Sequence, residues 1–180
     1  MRPNLFKLSV ISTAMAAFAS VASAQSLKIG DAAPPLTVGK WVKGEPVAGF
    51  EKGKIYVIEF WATWCVPCRV TIPKLSQMQA KHKEVVFIGQ DVWEQDMKKV
   101  EPFVKEMGDK MNYRVATDDT SKDENGAMAT NWLDASGFVG LPVAFIVDRG
   151  GKIAWVGPAA KLEPELDKVL KAQPPEQKTP

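Results

Sequence analysis

The chain has 180 residues, of which 46% are hydrophobic and 24% are charged, with 23 basic and 21 acidic side chains. This composition is ordinary for one soluble globular domain and argues against a chain that is disordered throughout. The nearly balanced charge gives no support for nucleic-acid binding, which requires a basic patch.

The first 24 residues have the pattern of a secretory signal peptide. Arg2 and Lys7 form a short positive start, residues 8–22 carry no charge, and a small-residue cleavage pattern ends at Ala24. The alternative is an N-terminal membrane anchor, but the uncharged stretch is shorter than the roughly 20 residues that a spanning helix needs. We therefore expect cleavage after Ala24 and a periplasmic protein with no membrane span.

The remaining chain alternates apolar, strand-like runs with segments of helical spacing. Strands are predicted over 36–42, 54–60, 85–89, 113–117, 143–147 and 152–156, and helices from the cysteines to about 82 and over 94–107, 123–133 and 163–171. The last two strands flank a turn and should form an antiparallel hairpin. The order predicts an α/β domain over residues 25–171, with a mixed central sheet, helices on both faces and a C-terminal hairpin followed by a helix.

The apolar positions also predict which helix residues face the core. In the first helix we expect Val70, Leu75 and Met78 to point inward. The second helix has apolar residues at helical spacing from Met97 onward and a predicted bend at Pro102. Residues 172–180 are polar and rich in proline, which predicts a disordered tail.

The two cysteines of the chain, Cys65 and Cys68, are three positions apart. A structural disulfide stabilises mainly by closing a long loop, so this spacing favours a reactive pair. A cysteine at the start of a helix has a lowered pKa, because unpaired amide groups and the helix dipole favour the thiolate. Cys65 is therefore predicted to be the nucleophile and Cys68 the resolving thiol, with Pro67 tolerated in the first helical turn.

Two metal-binding interpretations of the pair are weaker. A zinc site needs two further ligands, and the one histidine, His82, lies between two lysines and is predicted to be a solvated surface residue without a role. Covalent haem attachment needs a histidine directly after the second cysteine, where the chain has Arg69. No metal and no cofactor are therefore expected.

The segment from Glu59 to Arg69, EFWATWCVPCR, resembles the active-site strand and turn of the thioredoxin superfamily. The resemblance continues at Pro73, five residues after the second cysteine, and at the segment 140–143, Gly-Leu-Pro-Val. Three further features narrow the resemblance to the TlpA/ResA-like branch of exported thiol-disulfide oxidoreductases. They are the opening segment 29–34, the C-terminal hairpin and the signal peptide.

The resemblance implies a thioredoxin-like fold and roles for several further residues. It implies a cis peptide bond before Pro142, which would leave the Leu141 backbone free to pair with a substrate chain. It places Trp64 beside the reactive thiol and Val66 and Pro67 on the substrate-facing turn. The implied partners are protein thiols and disulfides and a membrane-bound electron donor.

Glu59 occupies the position of the buried acidic residue in the thioredoxin family. Independently, an acid between Ile58 and Phe60 is unusual in a buried strand. Burial raises the pKa of a carboxyl, and a carboxyl that titrates near neutral pH can carry the proton of Cys68. The alternative is an outward-facing strand residue.

The chain departs from the TlpA/ResA-like branch at Thr71, a position where members of that branch often have a glutamate.

The dipeptide Val66-Pro67 between the cysteines has no charge and no side-chain donor, which favours a reductant or mild exchanger over a strong oxidant. A thiol peroxidase is one alternative, because the opening Gly-Asp-x-x-Pro also occurs in peroxiredoxins; the Thr63-Trp64-Cys65 spacing is one residue short of their pattern. A copper chaperone of the Sco type is another, but its longer cysteine spacing and distal histidine ligand are missing from the sequence.

Overall fold

The computed structural model describes residues 26–172. The predicted signal peptide and residues 173–180 of the predicted tail lie outside the described residues. Within residues 26–172, no helix is both long and apolar enough to cross a membrane.

The described chain forms six strands, three α-helices and one π-helical segment. The strands are β1 Val38–Lys43, β2 Ile55–Trp61, β3 Val85–Asp91, β4 Arg114–Asp118, β5 Val143–Val147 and β6 Ile153–Pro158. The α-helices are α1 Cys68–Lys81, α2 Val100–Met107 and α3 Leu162–Lys171, and the π-helical segment is Ala129–Asp134. Each strand lies within about two residues of its predicted position.

The strands form one mixed sheet in the order β1-β4-β3-β2-β5-β6. Strands β2, β3 and β4 are parallel, whereas β5 runs antiparallel to β2, and β6 antiparallel to β5. Strand β2 is central, and all seven of its residues are buried. The predicted fold, including the C-terminal hairpin and helix, is therefore confirmed.

The alternation of side chains along β2 divides the core between the two faces of the sheet. Val57 and Trp61 pack on the face covered by the three α-helices. Ile58 and Phe60 pack on the opposite face, which is covered by the π-helical segment. Glu59 has the parity of Val57 and Trp61, so its carboxyl points toward α1.

Two predictions of core-facing residues are wrong. Val70 is 62% exposed, because the buried stripe of α1 runs through Cys68, Ile72, Leu75 and Met78, and Val70 lies on the other side of that helix. Met97 is also exposed, because it belongs to a 3-10 turn that precedes α2.

The second and third predicted helices are shorter than expected. Helix α2 begins at Val100, so Pro102 lies in its first turn, where a missing N–H needs no partner. The third helical region covers residues 127–136 rather than 123–133, because residues before it form turns around Gly126. Its central residues form i→i+5 bonds, which apolar spacing does not reveal.

Candidate active site

The two cysteines lie in the turn that joins the end of β2 to the start of α1. They form a disulfide in this structure, with 5.3 Å between their Cα atoms. Cys68 is fully buried and Cys65 is 3% exposed. Because Cys65 is the more exposed of the two, it is the cysteine nearer to an approaching substrate. A residue outside the turn helps to hold it, since the Thr63 amide donates a hydrogen bond to Glu94 Oε2 at 2.9 Å.

The surroundings of Cys65 favour a negative charge on its sulfur. The backbone amide of Cys68 points at Cys65 Sγ, with 3.2 Å between the two atoms. The first turn of α1 contains no acidic residue, and Arg69 follows the second cysteine. The helix dipole and the amide would both stabilise a thiolate at this position.

Pro142 meets the cysteine turn from the neighbouring strand. The Leu141–Pro142 peptide bond is cis. Val143 pairs with Phe60 in the antiparallel register of β5 and β2, so Pro142 lies beside the end of β2, where the cysteine turn begins. Within residues 26–172 the Leu141 backbone makes no hydrogen bond, whereas the Pro142 carbonyl accepts one from the Ala159 amide.

Glu59 is fully buried behind the cysteine turn. Its Oε1 accepts a hydrogen bond from the Thr71 hydroxyl at 3.0 Å, whereas its Oε2 has no hydrogen-bond partner. The pKa of Glu59 is raised to about 8, because the effect of burial outweighs the lowering effects of the Thr71 and Tyr113 hydroxyls. The Tyr113 hydroxyl has no regular hydrogen-bond partner, so it acts on Glu59 over a longer distance than a regular hydrogen bond.

The surface around the disulfide carries exposed apolar side chains. Trp64 is 48% exposed and Val66 is 73% exposed, and Pro67 beside them is also exposed. The Trp64 indole is held in place by a hydrogen bond from its Nε1 to the Trp93 carbonyl at 3.0 Å. Trp93 has a left-handed backbone, with φ of 53°, which is uncommon for a non-glycine residue.

Two buried residues near the end of β3 were missed by the sequence analysis. Asp91 is buried, and its Oδ1 has no hydrogen-bond partner; the neighbouring Gln90 Oε1 has none either. The pKa of Asp91 is raised to about 8, mainly by burial and to a lesser extent by the negative charges of Glu94 and Asp118. The predicted strand ended at Gly89, so these two polar residues were placed beyond it; the structure continues the strand through both.

The prediction that His82 is a solvated surface residue is wrong. Its side chain is 13% exposed, with Nδ1 3.6 Å from a Glu84 carboxyl oxygen and Nε2 4.0 Å from an Asp167 carboxyl oxygen. The two flanking lysines suggested an exposed position, but α3 packs over this end of α1. No cluster of three or more metal-ligating side chains occurs within the described residues.

Comparisons with known proteins agree with this geometry. Residues 29–156 match the AhpC/TSA family. Protein FixW of Rhizobium leguminosarum is 34% identical over 158 residues, which cover 82% of this chain and 68% of that protein. The thiol-disulfide oxidoreductase ResA of Bacillus thuringiensis is 29% identical and is covered over 79% of its length, with 82% of this chain aligned.

A solved structure of a thiol:disulfide interchange protein of the thioredoxin family from Chlorobium tepidum superposes with a TM-score of 0.57. It is 28% identical to this chain, and the alignment covers 78% of this chain and 99% of that one. The expected resemblance to thioredoxin-like oxidoreductases is thereby confirmed.

Proposed function

Because this chain belongs to the AhpC/TSA family and is a thiol-disulfide oxidoreductase like the relatives it matches, we propose that it reduces protein disulfides outside the cytoplasm. One observation carries the proposal: a Cys65–Cys68 disulfide stands at the start of α1, with the buried carboxyl of Glu59 directly behind it. A redox pair and an internal proton acceptor are the two components that dithiol exchange needs.

The first step is attack by the Cys65 thiolate on a client disulfide. A new bond forms between Cys65 Sγ and one client sulfur, the client disulfide breaks, and the other client sulfur leaves as a thiolate that takes up a proton. Cys65 is the attacking thiol because it is the more accessible of the two and receives the Cys68 amide.

The second step resolves the mixed disulfide. Cys68 loses its proton to the Glu59 carboxylate, and the resulting thiolate attacks Cys65 Sγ. The bond to the client breaks, the client leaves fully reduced, and the protein is left in the oxidised form described above. With a pKa of about 8, roughly a tenth of Glu59 is ionised at pH 7 and ready to accept the proton.

Client recognition is assigned to the surface around the disulfide. Trp64, Val66 and Pro67 offer an apolar platform beside Cys65. The Leu141 backbone, free of hydrogen bonds within the described chain, could pair with an extended client segment in the manner of an added strand, next to Pro142.

The reducing direction is supported by the dipeptide between the cysteines. Val66 and Pro67 contribute no charge and no side-chain hydrogen bond that would hold the Cys65 thiolate. A less stabilised thiolate makes a stronger reductant. The oxidised protein must then be reduced again by an external dithiol, which we assign to a membrane-bound donor.

The location is a separate proposal that rests on residues 1–24. Their charge and apolar pattern support export with cleavage after Ala24 and a periplasmic mature chain. Mass spectrometry of the protein isolated from its host would test this, since the proposal requires a mature N-terminus at Gln25.

The function is tested by trapping the mixed disulfide. A Cys68→Ser variant, reduced and mixed with a disulfide-containing protein, should accumulate a covalent complex that dithiothreitol releases. A Cys65→Ser variant is the matched control and should trap nothing. Reversal of this pattern would reverse the roles of the two cysteines, and failure of both variants to trap would reject the exchange mechanism. Hydrogen peroxide turnover above that of the Cys65→Ser control would support the peroxidase alternative instead.

A further inference from the structure

Thr71 connects the buried carboxyl to the backbone of the resolving cysteine. It lies on α1, three residues after Cys68, and is 5% exposed. Its hydroxyl oxygen is 3.0 Å from Glu59 Oε1 and 3.1 Å from the Cys68 carbonyl oxygen. Within the described chain, no other side chain makes a regular hydrogen bond to Glu59.

The hydroxyl has one proton and two acceptors within reach, so the charge on Glu59 decides which acceptor receives it. An ionised carboxylate can only accept, so Thr71 then donates to Glu59. A protonated carboxyl can instead donate to the Thr71 oxygen, which frees the hydroxyl proton for the Cys68 carbonyl, one helical turn back. Thr71 can therefore keep its contact with Glu59 in both protonation states by rotating one hydrogen.

We propose that Thr71 is a positioning residue that holds the Glu59 carboxyl behind the cysteine turn in both protonation states and thereby sets the pH at which the mixed disulfide is resolved. The proposal rests on the proposed role of Glu59 as the acceptor of the Cys68 proton. It assigns a function to a residue at which this chain departs from the branch it resembles.

The direction of the effect follows from the surroundings of Glu59. The hydrogen bond from Thr71 lowers the pKa of Glu59 against the opposing effect of burial, and the Tyr113 hydroxyl acts in the same direction. Removing the Thr71 hydroxyl should raise the pKa of Glu59. A smaller fraction of the carboxyl would then be ionised at neutral pH, so resolution would slow and its pH profile would move to higher pH.

The test compares Thr71→Val, which keeps the side-chain shape but loses the hydroxyl, with Thr71→Ser, which keeps the hydroxyl. The reduced proteins are mixed with excess peptide disulfide, and release of the second peptide thiol is followed from pH 5 to 9. We expect Thr71→Val to be slower by at least about threefold at pH 7 and to recover at pH 9, because a shift of half a pKa unit changes a small ionised fraction about threefold. Thr71→Ser should match the wild type within about twofold. An unchanged profile for Thr71→Val would overturn the proposal.

Two controls separate this outcome from others. In a Glu59→Gln background, Thr71→Val should cause no further change in the pH profile, and an additive change would also overturn the proposal. Each variant is also combined with Cys68→Ser to test whether it still traps the mixed disulfide. If trapping is normal but Thr71→Val leaves the pH profile of resolution unchanged, only the role of Thr71 is rejected. If Cys68→Ser alone fails to trap, the proposed function is rejected. If Thr71→Val fails to fold, Thr71→Ala is compared with Thr71→Ser by infrared titration of the Glu59 carboxyl, which reads its protonation without turnover.

A second observation, independent of Thr71, concerns a groove beside Trp64. The groove has a volume of about 360 Å³, and its charged lining residues are Arg69, Lys98, Lys99 and Glu106. The Arg69 guanidinium lies over the Phe103 ring, 4.6 Å from its centroid, which fixes one of the three cations. None of the three forms a salt bridge within residues 26–172. An excess of unpaired positive charge next to the reactive turn attracts negative charge.

We infer that this groove binds an acidic side chain of the client close to its disulfide. The inference rests on the proposed function and names the client chemistry that the site favours. Electrostatic complementarity of this kind acts mainly on the association rate and weakens with salt. A client with lysines in the same place should therefore react more slowly at low ionic strength.

Two peptide disulfides that differ only in Asp or Lys next to the cysteine test the groove. At low salt, the association rate should favour the acidic peptide by at least about threefold, and a Lys98→Gln/Lys99→Gln variant should remove most of the preference. Arg69 is left intact because it adjoins Cys68. The matched control is Lys52→Gln/Lys54→Gln, on the loop before β2. Equal rates for the two peptides, or an equal loss in the control, would overturn the inference while leaving the exchange mechanism intact.

Discussion

Glu59 and Asp91 are buried carboxyls on adjacent parallel strands, and the pKa of each is raised to about 8. Their surroundings differ. Glu59 accepts a hydrogen bond from Thr71 and interacts with the Tyr113 hydroxyl, both of which lower its pKa. Asp91 Oδ1 has no partner, and the nearby carboxyls of Glu94 and Asp118 add to the rise in its pKa.

The difference shows that a raised pKa does not by itself identify the proton acceptor. A carboxyl with a shifted pKa indicates a functional site only when it also lies close to the reacting residues. Glu59 is joined through Thr71 to Cys68, whereas no hydrogen bond joins the Asp91 side chain to the cysteine turn within the described chain. The connection to the reacting residue, rather than the titration, assigns the role.

The largest expected effect is on the resolution step. At pH 7, Glu59→Gln should slow release of the second client thiol by roughly a hundredfold, because it removes an internal proton acceptor. Asp91→Asn should stay within about twofold of the wild type. Single-turnover kinetics with a peptide disulfide measure both. A large loss in Asp91→Asn with none in Glu59→Gln would exchange the roles of the two carboxyls.

Glu59 and Asp91 should affect the pH dependence of folding stability in the same direction. The folded protein keeps both protons up to about pH 8, whereas the unfolded chain loses them near the ordinary carboxyl pKa values of 4.5 for Glu59 and 3.8 for Asp91. Folding therefore binds protons in this window, and stability falls as the pH rises through it. From pH 5 to pH 8.5, Glu59→Gln and Asp91→Asn should each reduce this fall by roughly 4 kcal/mol, since each removes one proton that only the folded state holds over about three pH units.

Urea unfolding of the oxidised protein at the two pH values measures this change. The wild type should lose more stability than either variant, and the double variant should have the flattest dependence. A wild-type stability that rises across the same interval would show that neither carboxyl is held protonated in the fold.

The smallest effect is expected at Tyr113. Tyr113→Phe removes a hydroxyl that lowers the pKa of Glu59, so the carboxyl would ionise at higher pH. Resolution at pH 7 should slow by about two- to threefold and match the wild type at pH 9. The same kinetic assay across pH provides the measurement, and a faster reaction at pH 7 would contradict the assigned direction.

How much of this site the sequence predicts can be seen from the same two residues. Glu59 stands out in the sequence because an acid interrupts an apolar run, Ile-Tyr-Val-Ile, that continues with Phe60, and because the segment resembles the active-site strand of the thioredoxin superfamily. Asp91 follows Gly89 and Gln90, and because the apolar run stops before these residues, the sequence predicts that the strand ends there. Pairing with Trp61 extends the strand through Asp91, and such a pairing depends on a neighbouring segment that local sequence does not contain.

The errors on α1 have related causes. Val70 is apolar, but the buried stripe of α1 begins at Cys68 and continues through Ile72, which leaves Val70 on the other side of the helix. His82 lies between lysines, yet it is covered by α3, which begins 80 residues later at Leu162 and brings Asp167 to 4.0 Å from His82 Nε2. The long-range packing that decides these positions has no signature in a short window of sequence.

The central claim, that Cys65 and Cys68 form a reducing pair, is tested most directly by their reduction potential. The purified protein is equilibrated with dithiothreitol or glutathione buffers, and the fraction of disulfide is measured at each ratio. We predict a value near the thioredoxin end of the range, about −270 mV. A value near about −120 mV would make the protein a disulfide donor and contradict the reducing direction.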